Sequence, residues 1–158
     1  MSQYKKYFVE FPIPIRSFES FLPHRAPAIW IDEVLRVDAT SGSCGVRYSK
    51  KAPYAQENSI LESAYLEWMA QSFGYICAAQ YRLELIKNEG EVQDAFLAAV
   101  RNYQVLEIPK QINEGEVFEV AMKATHRVGP VTMVEGTIIK DGKILATANL
   151  KLFAVPKN

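Results

Sequence analysis

The stretch from Ser59 to Lys87, SILESAYLEWMAQSFGYICAAQYRLELIK, constrains the fold more than any other part of the chain. It has no proline and a single glycine, Gly74, and its apolar residues fall on nearly every side of a helical wheel. A helix of that kind is buried almost all round rather than laid on a surface. At 1.5 Å per residue it would run about 40 Å, the width of a small domain. Asn58 or Ser59 offers a cap at its start, with Glu62 completing a capping box if Ser59 is the cap. Asn88 and Gly90 offer an end. Ser63, Glu67 and Gln71 interrupt the apolar run at intervals of four, so they share one face. A carboxylate on a helix that otherwise reads as core makes Glu67 the leading candidate for chemistry.

The rest of the chain reads as strands. Ala28–Asp38 and Ser43–Ser49 are rich in β-branched residues and meet at a Thr40-Ser41-Gly42 turn. Lys50–Asn58 is a polar loop, and Asn88–Asp94 a polar connection after the helix. Ala95–Leu106 fits helix or strand by pattern; a strand is favoured because strands follow it and a hairpin partner is needed. Val117–Arg127 alternates, Val131–Lys140 is β-branched throughout, and Asp141-Gly142 is a strong hairpin signal leading into Ile144–Val155. Gly129-Pro130 marks the turn before that hairpin. Residues 1–15, with Pro12 and Pro14, read as an irregular arm, and Arg16–Leu22 as a short helix stopped by Pro23. Two strands, one long helix and four more strands predict an α+β fold, with a curved antiparallel sheet around the helix. At 158 residues the chain is expected to form one domain over its full length.

Several function classes are excluded by composition. The formal net charge is zero and no basic run exceeds a few residues, which argues against nucleic-acid binding. Cys44 and Cys77 are too few for a disulfide framework or a zinc site, and two histidines exclude a His-rich metal centre. The N-terminus lacks an apolar signal region, and the central helix carries too many charges to span a bilayer, so a cytoplasmic location is expected.

Four stretches carry a resemblance to a known family. Leu22-Pro23-His24-Arg25-Ala26-Pro27, followed by Ile31-Asp32-Glu33-Val34, is similar to the entry into the first strand of the 3-hydroxyacyl-acyl carrier protein dehydratases of fatty acid synthesis. Glu67-Trp68-Met69-Ala70-Gln71 is similar to the Glu-Ala-Met-Ala-Gln segment on their central helix. Ala95-Phe96-Leu97, with Arg101-Asn102-Tyr103 behind it, sits where they begin the strand after that helix, and Gly142 to Phe153 ends as theirs does. The resemblance covers roughly residues 20–155 and implies the hotdog fold. It departs at one place. Those enzymes carry a His-Phe-Pro-Gly loop before the helix, whose histidine is catalytic, whereas this chain has Ala52-Pro53-Tyr54-Ala55-Gln56-Glu57-Asn58. A shortened loop with a retained helix glutamate resembles instead the variant dehydratases of aryl polyene and flexirubin pigment clusters.

What the resemblance implies is dehydration of a 3-hydroxyacyl thioester on an acyl carrier protein, with no metal or cofactor. The site would lie across the interface of a homodimer, or of a heterodimer with a related dehydratase. Such a reaction needs a base for the C2 proton, an acid for the leaving 3-hydroxyl and donors for the thioester oxygen. Glu67 is expected as acid or base. His24 is the candidate for the second role, although the matching family histidine sits in a structural turn. Ser59, Ile60 and Leu61, taken as the helix start, would present amides to the thioester oxygen. Gln71 is a candidate for supporting Glu67 or touching the pantetheine arm, and Tyr54 and Asn58 for donating hydrogen bonds to substrate. Trp30, Trp68, Phe73, Tyr75 and Phe96 read as core or tunnel lining, Cys77 as a small buried hydrophobe, and His126, Arg25 and Arg101 as surface. Two alternatives stay open: a thioesterase of the same fold, and a non-catalytic partner subunit.

Overall fold

The computed structural model describes residues 10–18, 28–85 and 92–156, with backbone only at 92–96 and 154–156. His24, Arg25 and the side chain of Phe96 lie outside the described residues, as do the expected helix terminators Asn88 and Gly90. Among the described residues, one seven-stranded antiparallel sheet curves round one α-helix, α1, Ala64–Arg82. The strands are β1 (Ile13–Pro14), β2 (Glu33–Val37), β3 (Ser41–Arg47), β6 (Val92–Val105), β7 (Val117–Val128), β8 (Val131–Lys140) and β9 (Lys143–Pro156), in the spatial order β1-β2-β3-β7-β8-β9-β6. Two further short strands, β4 (Ala55–Gln56) and β5 (Ser59–Ile60), form a separate hairpin. A 3₁₀ turn, Ile15–Phe18, includes residues 16–18, the described part of the expected Arg16–Leu22 helix.

The sheet strands follow from their alternation. Phe118, Val120 and Met122 on β7, Val134 and Ile138 on β8, and Ala146, Ala148, Leu150 and Leu152 on β9 are buried against α1. Asp141 and Gly142 both take positive φ, 51° and 75°, as the two-residue turn between β8 and β9 requires. Close approach of helix and sheet is set by two glycines. A Cβ at Gly136 would stand 2.7 Å from Met69 Sδ, and one at Gly42 would stand 2.9 Å from both the Arg36 carbonyl oxygen and the Ile76 side chain. The Gly42 contact includes backbone and cannot relax cheaply, so Gly42→Ala is expected to destabilise the protein by about 1–3 kcal/mol in urea unfolding.

Three expectations are corrected. The helix does not start at Ser59. Ser59 and Ile60 pair with Gln56 and Ala55 in the β4–β5 hairpin, inside what was expected to be loop and helix, and Leu61 gives its amide to the Tyr54 carbonyl oxygen. The Ser59 hydroxyl donates to the carbonyl of Pro109 at 2.5 Å instead of capping a helix. Ser63 takes the N-cap position, without a side-chain capping bond. The helix also ends earlier, at Arg82. The amide of Leu85 bonds the Gln80 carbonyl and that of Glu84 bonds Tyr81, with Glu84 left-handed at φ 55°, which is a Schellman ending without glycine. Finally, β6 is not the hairpin partner of β7. It crosses to pair with β9 and forms one edge of the sheet.

Candidate active site

The Ser63-Glu67-Gln71 stripe runs from the surface into the core: Ser63 is exposed, Glu67 half-buried, and Gln71 only 4% exposed. Burying an amide side chain is costly unless its groups are paired, and Gln71 is paired throughout. Its Nε2 donates to the Ala28 carbonyl oxygen and to Glu67 Oε1, both at 2.8 Å, and its Oε1 accepts the Trp30 backbone N–H at 2.9 Å. Gln71 thus joins the segment entering β2 to the carboxylate of Glu67. Glu67 lies in the first turn of α1, one turn from Ser63, close to the positive end of the helix dipole. A half-buried carboxylate held on one oxygen, near the positive end of a helix dipole, can exchange a proton with a bound molecule.

An aromatic cluster backs this face. The rings of Trp30, Tyr54, Trp68, Tyr65 and Phe118 meet at centroid distances of 5.1–5.7 Å, mostly edge to face. Trp68, Phe73 and Tyr75 are core, as expected, and Trp30 is half-buried. Tyr54 is not available to a substrate. It is 3% exposed, and its hydroxyl donates to the Arg47 carbonyl at 3.2 Å and accepts the Ser49 amide at 3.3 Å. Burial pushes that hydroxyl up to about 12. Tyr54→Phe is therefore expected to cost about 1 kcal/mol of stability and to leave turnover intact, which melting curves and an activity assay on the same preparation would check.

Asn58 is exposed at the tip of the β4–β5 hairpin, where its carbonyl accepts the Ile112 amide at 2.7 Å. Ile60 is buried in the core and Leu61 is exposed, so Ser59, Ile60 and Leu61 form part of the hairpin rather than a helix start. His126 and Arg101 are exposed, as expected. Cys77 is half-buried rather than buried, and its thiol is pushed up to about 11 by desolvation. A cleft lined by Ile13, Phe18, Ala79 and Arg82 lies at the opposite end of α1, about four turns from Glu67. The parts of the site that sequence reasoning missed are the backbone groups of Ala28 and Trp30, which carry no side-chain signature.

No helix among the described residues is long and apolar enough to cross a membrane. The model of the ApeP-like family, described as ApeP dehydratase, matches residues 16–158. No curated protein matches the sequence. Among solved structures, a chain of the dehydratase heterocomplex ApeI:P from Xenorhabdus doucetiae is similar, with a TM-score of 0.74 and 21% identity over 92% of this chain and 93% of that one. The PaaI protein from the E. coli phenylacetic acid degradation operon has a TM-score of 0.56 and 13% identity, over 76% of this chain and 80% of its own. A Streptococcus mutans protein solved with acetyl CoA has a TM-score of 0.60 and 11% identity, over 86% and 96%. At such identities the likeness is one of fold, and the fold is the hotdog.

Proposed function

The chain belongs to the ApeP-like family, the ApeP dehydratases, and on that footing we propose that it removes water from a 3-hydroxyacyl thioester carried on the phosphopantetheine arm of an acyl carrier protein. The product is the trans-2-enoyl thioester, one double bond of a polyene. Family membership favours this lyase reaction over the thioesterase alternative. The observation that carries the residue assignment is the half-buried carboxylate of Glu67, oriented through Gln71.

In the proposed reaction one group takes the C2 proton, a second protonates the departing 3-hydroxyl, and the C–O bond breaks with formation of the C2–C3 double bond. Glu67 is one of the two. His24 is the proposed other. It stands four residues ahead of Ala28, whose carbonyl is bonded to Gln71. The thioester oxygen is assigned to the positive end of the α1 dipole near Ser63, in place of Ser59, Ile60 and Leu61; the Ala64 amide is already bonded to the Leu61 carbonyl. Gln71 supports Glu67 rather than touching pantetheine, because its donors and acceptor are used.

The protein is proposed to work in the cytoplasm as one half of a pair, with a related dehydratase or a second copy. The open edge of β6 supports pairing, as does the heterocomplex formed by the similar Xenorhabdus protein. The missing loop histidine is consistent with a partner that completes the site.

Incubation with 3-hydroxyacyl carrier protein, alone and with a coexpressed related dehydratase, followed by intact mass measurement of the carrier, tests the reading. Loss of one water is expected, and His24→Ala is expected to slow it. Release of the free carrier would point to a thioesterase, and an unchanged mass in both arms would overturn the proposal.

A further inference from the structure

The direction in which Gln71 points is determined by its surroundings. If its amide were turned over, Nε2 would face the N–H of Trp30, donor against donor, and Oε1 would face the carbonyl of Ala28 and the carboxylate of Glu67, acceptor against acceptor. All three contacts, at 2.9, 2.8 and 2.8 Å, agree on the orientation observed. The donor at Trp30 and the acceptors at Ala28 and Glu67 select the same orientation.

Two consequences follow for Glu67. Its Oε1 already accepts an N–H that can only donate, so protonating Oε1 would weaken that bond and a proton carried by Glu67 is better placed on Oε2. Oε2 takes no hydrogen bond among the described residues. From this, and resting on the dehydratase reading above, we infer that Oε2 of Glu67 is the reacting oxygen in both its protonated and ionised forms, and that the backbone of Ala28–Trp30 positions it through Gln71. Gln71 and the Trp30 amide are then positioning groups. They touch no substrate, and they convert a side chain with several rotamers into one with a fixed reacting atom.

Three variants test the inference. Gln71→Met keeps the volume but can neither donate nor accept, whereas Gln71→Glu can still accept the Trp30 N–H and cannot donate to Glu67. Glu67→Gln reports on the underlying reading. Two quantities are measured on each: kcat and KM with a 3-hydroxyacyl carrier thioester, in the presence of the partner subunit, and hydrogen exchange of the peptide containing Trp30. In Gln71→Met the Trp30 amide is expected to exchange at least about 10-fold faster, and kcat to fall by about 10- to 100-fold with KM within about threefold. In Gln71→Glu the amide is expected to keep its protection while kcat still falls. Unchanged exchange at Trp30 in Gln71→Met would overturn the inference whatever the activity. So would a Gln71→Met protein that melts earlier but turns over at the wild-type kcat. If Glu67→Gln itself left the rate unaltered, the failure would belong to the assignment of Glu67 and not to the orientation of Gln71.

Discussion

Glu67→Gln is expected to lower the rate of dehydration by about 10²–10⁴-fold, the contribution of one positioned acid or base. The substitution is close to isosteric. A glutamine at this position can still present an oxygen to Gln71 Nε2, so the bonds from Gln71 to Ala28 and Trp30 need not change. What disappears is the ability to take up and give back a proton. Single-turnover measurement of enoyl formation, beside a urea unfolding curve, separates the two effects: the rate should collapse while the midpoint stays put. A variant that kept a tenth or more of the wild-type rate would remove Glu67 from the chemistry. A coincident loss of stability would mean that the carboxylate is needed to hold the fold.

Trp68→Ala carries the largest expected effect on stability. Trp68 is fully buried, one position along α1 from Glu67, and its ring meets those of Tyr54, Tyr65 and Phe118 at 5.1–5.7 Å. Truncating a buried tryptophan costs about 3–5 kcal/mol through lost burial and the cavity left behind. One feature moderates the loss. Among the described residues the buried Trp68 Nε1–H has no hydrogen-bond partner, and an unsatisfied buried donor costs about 1–3 kcal/mol. Removing it returns part of that penalty, so the net effect is expected near 3 kcal/mol. Trp68→Phe keeps an aromatic ring in the cluster and deletes the orphan donor, and it should lose far less than Trp68→Ala. A chemical denaturation series with a common slope would test both. A larger loss in Trp68→Phe than in Trp68→Ala would show that the indole shape matters more than the burial.

Much of the sheet was legible because its signals are local. Alternation in β7, β-branched residues in β8 and the Asp141-Gly142 turn each declare themselves within a dozen residues. The helix was legible in its middle and not at its ends. Ser59 and Glu62 have the spacing of a capping box, yet the Ser59 hydroxyl is bonded to Pro109, fifty residues away. Ile60 is as apolar as a helix residue and is buried for another reason, its place in the β4–β5 hairpin. At the other end the chain turns at Glu84, a residue type that gives no warning of left-handed backbone. The partner of β6 was missed because pairing across the sheet depends on topology and leaves no mark on the strand itself.

The candidate site divides the same way. Glu67 and Gln71 could be aligned from spacing alone, since residues four apart share a helix face. The partners that fix Gln71 lie 41 and 43 residues upstream and contribute backbone atoms, which look alike for every residue type. Tyr54 was misread for a related reason. A tyrosine in a polar loop suggests an available hydroxyl, but both bonding directions here are taken by the backbone of its own neighbourhood.

The edge strand β6 loses register against β9 at three places, between Val92 and Asp94, Leu97 and Ala99, and Arg101 and Gln104, and Asn102 takes φ 53° at the last of them. Each break bends the strand and interrupts its row of outward amides and carbonyls. A long, flat edge would template the addition of one molecule after another into a fibre. A broken one admits a neighbour shaped to the same breaks and refuses an indefinite stack of straight strands. In a chain that has not yet met the proposed partner, this irregularity guards against aggregation.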